Sequence, residues 1–144
     1  MRQNKPLKTE VQKLILNISM TSSWFNTMYA ERLKPFDLTP HQYNVLKILK
    51  EKYPEGYCNQ DITHRMIDRA SNATRIVDKL VEKNLAVREE GKGDRRQVNI
   101  KITEKGITIL NEVDKVPLTE KSKLTEYNEE KARLMNEWLN EIRG

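Results

Sequence analysis

At 144 residues, with 37% apolar and 33% charged side chains and only five Gly and five Pro, the chain has room for one core, and its composition favours a helix-rich soluble protein over a sandwich or a disordered tail. No apolar run is long enough to cross a membrane, the stretch after Met1 is amphipathic and unlike a signal-peptide core, and the lone Cys58 cannot close an internal disulfide; together these predict a cytoplasmic protein with no membrane partner. The net charge of +5 is uneven: residues 1–38 carry six Lys/Arg against three Asp/Glu, residues 39–103 thirteen against nine, and residues 104–144 seven against nine, so any polyanion partner belongs to the front and middle of the chain.

Val11, Leu14, Ile15, Ile18, Phe25, Met28, Tyr29 and Leu33 recur at the spacing of one helix face and predict a first helix from about Thr9 to Leu33, ended by Pro35. Thr39 followed three residues later by Gln42 is a capping box. Pro40 stands at the first helical position, where its missing N–H is no loss, and Leu38 with Tyr43 can staple the entry. A second helix therefore starts at Thr39, carries Val45, Leu46, Ile48 and Leu49, and closes in the turn 52–56. Asn59 can cap a short third helix reaching about Ile67. Asp68 can cap a fourth, in which Ala73, Ile76, Val77, Leu80 and Val81 face inward while Ser71, Asn72, Thr74, Arg75, Asp78 and Lys79 face out.

Asn84 can supply the left-handed residue that ends this helix. Residues 85–89 and 98–102 then alternate, with Leu85 and Val87 sharing one face and Val98, Ile100 and Ile102 another. Between them Gly91-Lys92-Gly93-Asp94 forms the tip of a two-stranded hairpin. Thr103 caps a fifth helix with Ile107, Leu110 and Val113 on one face, stopped or kinked by Pro117. Thr125 starts a sixth whose stripe is Tyr127, Leu134, Met135, Trp138, Leu139 and Ile142.

Three helices, the last with a polar face, followed directly by a hairpin are the order of a winged helix-turn-helix. The fold class expected is mainly α with a small β-hairpin wing. An α-helix fits the major groove of B-DNA, so its exposed face must carry groups that reach base edges and phosphates. Ser71, Asn72, Thr74, Arg75 and Lys79 are those groups on the fourth helix, and Lys92, Asp94, Arg95 and Arg96 are their counterparts on the wing. Val11, Ile15, Ile18 and Phe25 near one end, and Leu134, Trp138, Leu139 and Ile142 near the other, have little else in the chain to cover them, which predicts a core shared between two copies.

Residues 38–46 (LTPHQYNVL), 71–80 (SNATRIVDKL), 93–96 (GDRR) and 102–106 (ITEKG) resemble, in order and at family spacing, the bacterial MarR (multiple-antibiotic-resistance regulator) family. The resemblance covers residues 9–142 and implies one domain over 1–144, with residues 38–103 as the winged helix-turn-helix and 9–37 and 104–142 as dimerisation helices. It implies a homodimeric repressor of a palindromic operator in double-stranded DNA. A small organic anion or lipophilic effector is expected between the lobe and the dimer helices, on resemblance alone. By the same resemblance Arg96 enters the minor groove, held by Asp94, and Arg95 serves a phosphate. Two positions depart from the pattern: Asn84 replaces the usual glycine, and Pro117 interrupts a helix that is often continuous.

Other chemistry finds less support in the residues. His41, Cys58, Asp61 and His64 lack the HxxxH or CxxC spacing of a metal site, and no Ser-His-Asp set, phosphate-cradling glycine loop or paired carboxylates appear, so neither a metal, a cofactor nor an enzymatic activity is expected. The alternative to an operator-binding protein is a winged-helix module that binds protein or RNA. Asn72 and Arg75 beside an Asp-Arg-Arg wing favour DNA.

Overall fold

All the described α-helices but one start on a capping side chain. In the computed structural model, which describes residues 9–90, 98–117 and 128–144, Thr9 caps helix α1 (Glu10–Leu33) by accepting the Gln12 backbone N–H. Pro35 falls in a 3-10 turn over Lys34–Phe36, and Asp37, left-handed at φ 52°, ends it. Helix α2 (Pro40–Glu51) has both halves of its capping box: Thr39 Oγ1 accepts Gln42 N at 3.2 Å, and Gln42 Oε1 accepts Thr39 N at 3.2 Å. Such a cap is worth about 1 kcal/mol.

The expected hairpin has a third strand. Strand β1 (Tyr57–Cys58) pairs antiparallel with β3 (Val98–Ile102), which pairs antiparallel with β2 (Ala86–Glu90), in the order β1-β3-β2. Tyr57 lies opposite Ile100 and Cys58 opposite Asn99. Gly56 admits this pairing, because a Cβ there would stand 2.3 Å from the Ile100 carbonyl oxygen.

The two middle helices start differently from the sequence expectation. Helix α3 (Asn59–Arg65) begins with Cys58 at the cap position and no side-chain cap, so Asn59 is helical and its amide is free for another task. Helix α4 (Ala73–Glu82) is capped by Asn72, not Asp68. The chain leaves α3 in extended conformation at Met66, whose side chain is buried, and residues 67–71 are spent turning toward α4. Asp68 holds that turn: Oδ1 accepts Ala70 N at 3.1 Å and Oδ2 accepts the Ser71 hydroxyl at 2.7 Å. Ile67 thus lies outside α3 and is exposed.

Asn84 adopts φ 59°, and around it Leu85 N donates to Leu80 O at 2.8 Å and Asn84 N to Val81 O at 2.9 Å. This pair of bonds is a Schellman motif, which places Leu85 against the end of α4. Strand alternation therefore starts one residue later than expected. Ala86, not Val87, faces the core, and Val87 is exposed.

Helix α5 (Glu104–Lys115), capped by Thr103, stops before Pro117. Arg32 of α1 completes its end, donating to Val113 O at 2.6 Å and Val116 O at 2.8 Å. Tyr43 of α2 donates to Asp114 Oδ1 at 3.0 Å, and burial, then that bond, raises the Tyr43 hydroxyl above its ordinary range. Helix α6 (Glu129–Arg143) is capped by Asn128, three residues after the expected Thr125; Thr125 and Tyr127 lie outside the described residues. The buried apolar cluster runs from Leu33 to Val113, centred on Val45, Leu46, Leu49, Ile62, Val77, Leu80, Ile100 and Leu110. Helix α1 gives it only Leu33, and no α6 residue is buried.

Candidate nucleic-acid interface

Helix α4 owes its orientation to its own apolar face. Ala73, Val77 and Leu80 are buried, Ile76 and Val81 pack against the same cluster, and the opposite face, with Asn72, Thr74, Arg75 and Lys79, is left exposed. The side chains on that face are not equally free. Asn72 Oδ1 accepts Arg75 N at 3.1 Å as the cap, which leaves its NH2 group outward. Ser71 lies before the helix, half-buried, with its hydroxyl given to Asp68. Thr74 Oγ1 accepts Asn59 Nδ2 at 2.6 Å. Lys79 pairs with Glu82 at 2.8 Å. Arg75 is exposed, and among the described residues its guanidinium has no hydrogen-bond partner.

The turn that enters α4 adds groups that sequence reasoning missed. His41 Nε2 lies 3.2 Å from Asp68 Oδ2. The Ser71 hydroxyl, His41 and the Ala70 amide, in that order, hold the Asp68 carboxyl below its ordinary range. Arg69 is exposed on the same turn. Its only sequence signal was a cation four residues before the fourth helix, which composition does not distinguish from a solvated surface charge. His41 was legible only as a candidate metal ligand, since its partner is 27 residues away.

The hairpin is fixed to α4 by Arg88 Nη2 and Asp78 Oδ1 at 2.6 Å, and Lys101 and Glu89 pair across β3 and β2 at 2.5 Å. These contacts tie the described part of β2 to α4 and to β3. The tip residues Lys92, Asp94, Arg95 and Arg96 lie outside the described residues.

The candidate dimer residues form two uncovered stripes. Val11 is 66% exposed, Ile15 61%, Trp138 63% and Ile142 56%, with Leu134 and Leu139 exposed as well, while Ile18 and Phe25 are half-buried. A cleft of about 380 Å³ lies between the end of α1, the start of α2 and the end of α4, lined by Thr27, Glu31, Lys34, Leu38 and Lys83 among others. Lys83 is committed there, pairing with Asp37 Oδ2 at 3.2 Å and donating to Gln42 Oε1 at 3.2 Å and to the Asp37 carbonyl. No helix among the described residues is long and apolar enough to cross a membrane.

Comparison with known proteins agrees with this architecture. The family model described as "Transcriptional regulator SarA/Rot" matches residues 27–113. The HTH-type transcriptional regulator MhqR of Bacillus subtilis is 31% identical over 101 residues, spanning 70% of this chain and 68% of that protein. A MarR transcription factor from Planctomyces limnophilus superposes with a TM-score of 0.64 at 26% identity, over 76% of this chain and 78% of that one. A cysteine-to-serine mutant of MarR from E. coli, complexed with operator DNA, reaches a TM-score of 0.79 at 21% identity over 96% and 99% of the two chains. With its three-helix lobe, its hairpin and its flanking helices in the same order, the chain belongs to the SarA/Rot family of transcriptional regulators, a family of the MarR-like winged-helix type.

Proposed function

We propose that this protein is a cytoplasmic, non-enzymatic repressor that binds a palindromic double-stranded DNA operator as a homodimer. The observation that carries the reading is the exposed face of α4: a capped helix whose first turn presents the Asn72 amide N–H groups and an Arg75 guanidinium that has no hydrogen-bond partner among the described residues. Arg75 suits the O6/N7 edge of guanine and Asn72 the edge of adenine. Lys79, whose exposed ion pair with Glu82 is weak, suits a phosphate. The structural neighbour from E. coli was solved in complex with operator DNA, which supports DNA as the partner of this fold here.

The uncovered stripes on α1 and α6 support the second copy. Together they expose Val11, Ile15, Trp138 and Ile142, more apolar surface than a monomer keeps in water without a use for it. A two-fold dimer presents two recognition helices, so the half-sites lie about one helical turn apart. The cleft beside Lys34 has the volume of a small-molecule site and lies between α1 and the lobe, which supports a small organic anion or lipophile as effector.

Selection of bound duplexes from a random library by the full-length chain tests the whole reading. An imperfect palindrome is expected, with affinity for it falling steeply with salt and exceeding that for random duplex by about 10³ or more. Equal affinity for selected and random duplexes would refute it.

A further inference from the structure

The tie between α3 and α4 changes what one residue of the recognition face can read. Thr74 is the second residue of α4, in the turn whose side chains meet base edges in a docked recognition helix. A threonine there offers two chemistries. Its hydroxyl bonds bases or phosphates with little selectivity, whereas its methyl packs on the C5 methyl of thymine, which no other base carries in DNA.

The hydroxyl oxygen is already tied to α3. Asn59 Nδ2 lies 2.6 Å from Thr74 Oγ1. The Asn59 Oδ1 is buried with no hydrogen-bond partner among the described residues, and exchanging the two ends of the amide would leave the Thr74 hydroxyl tied to Asn59 all the same, as donor instead of acceptor. Fixing Oγ1 toward α3 fixes χ1, since threonine carries hydroxyl and methyl on the same carbon. Thr74 as a whole remains exposed. The side chain therefore turns its polar atom inward to α3 and keeps its methyl for the outside.

We propose that Thr74 is a thymine-selecting residue that reads the C5 methyl group, and that Asn59 is the positioning residue that withholds its hydroxyl from the groove. This rests on the operator-binding reading above and adds to it one base identity per half-site.

The test takes the duplex selected by the full-length protein and replaces each thymine of one half-site in turn by deoxyuridine, which removes only the methyl group. Wild type is expected to show one thymine at which the replacement weakens binding about fourfold, the equivalent of one buried methyl group. Thr74→Ser, which keeps the hydroxyl, loses that sensitivity. Thr74→Val, which keeps a methyl, retains it. Asn59→Ala reduces the ratio by freeing the hydroxyl to rotate, and Thr74→Val in the same chain restores it. Each ratio is internal to one variant, so a general loss of affinity or stability does not imitate the result. Sensitivity that survives in Thr74→Ser, or vanishes in Thr74→Val, overturns the assignment. An operator with no methyl-sensitive thymine overturns it while leaving operator binding intact, and a selection that enriches nothing overturns both.

Discussion

Replacing Gly106 by Ala sets two opposed effects against each other on α5. Gly106 is the third residue of that helix, and alanine there gains at most about 1 kcal/mol of helix propensity. The added Cβ would stand 2.5 Å from the Leu85 carbonyl oxygen and 2.7 Å from Ile102 Cγ1. Neither neighbour is a loose side-chain end: Leu85 is anchored by its bond to Leu80 and accepts Thr103 N at 3.1 Å, and Ile102 is a buried strand residue paired with Ala86. Relief requires α5 to move off the sheet, which costs roughly 1–3 kcal/mol of overpacking and about 1 kcal/mol for the strained Thr103–Leu85 bond. The net expectation is a loss of about 2 kcal/mol, or roughly 8 °C in Tm for a chain of this size. Urea and thermal denaturation followed by circular dichroism, at one fixed protein concentration, measure it. Thr108→Ala on the exposed side of the same helix should instead raise stability, by less than about 1 kcal/mol of helix propensity. A Gly106→Ala protein as stable as wild type would refute the claim that this close approach constrains the packing of α5.

Arg75→Ala should cost about 1–3 kcal/mol of affinity on the selected operator and far less on random duplex; equal losses measured by fluorescence anisotropy would make Arg75 a phosphate contact. Trp138→Glu with Leu139→Glu should yield a monomer or an aggregate, and light scattering that shows wild type monomeric at micromolar concentration would remove the basis for a shared core. On the wing, Arg96→Ala should abolish a preference for A·T pairs at the operator flanks, while Arg95→Ala should weaken all duplexes alike and lower the salt slope by about one unit per lobe; if Arg95→Ala alone abolished the preference, the two roles would be exchanged. Asp68 has its carboxyl lowered by Ser71, His41 and Ala70, so its stabilising contribution is complete above the ordinary value of 3.8 and is lost as pH falls through the lower folded value. The stability gap between wild type and Asp68→Asn should therefore close on acidification, and a gap constant from neutral to strongly acid pH would contradict the sign.

Where a residue acts on its immediate neighbours, the sequence was a sufficient guide. The Thr39–Gln42 box, the left-handed Asn84, the buried face of α4 and the stop before Pro117 all depend on contacts within a few residues. Competition between equivalent groups was not legible. Asp68 and Asn72 are both good caps four residues apart, and the choice fell to Asn72 because Met66 must bury its side chain before the chain can turn. Strand β1 is two residues long and has no periodicity to detect; it exists through its pairing with β3, more than 40 residues away. The role of Asn59 was invisible for the same reason: its partner Thr74 is 15 residues on, across a turn whose path no local rule dictates.

The placement of the core between Leu33 and Val113 separates two kinds of folding event. The lobe closes on contacts within one chain, so its assembly is unimolecular and independent of concentration. Among the described residues α1 gives the core only Leu33 and α6 gives it none, and helices in proteins owe most of their stability to the packing of an apolar face. Under the dimeric reading, their ordering is bimolecular and set by mass action. Dilution then loosens the ends of the chain before it touches the lobe, and two reading heads that remain intact lose the fixed spacing that a palindrome requires.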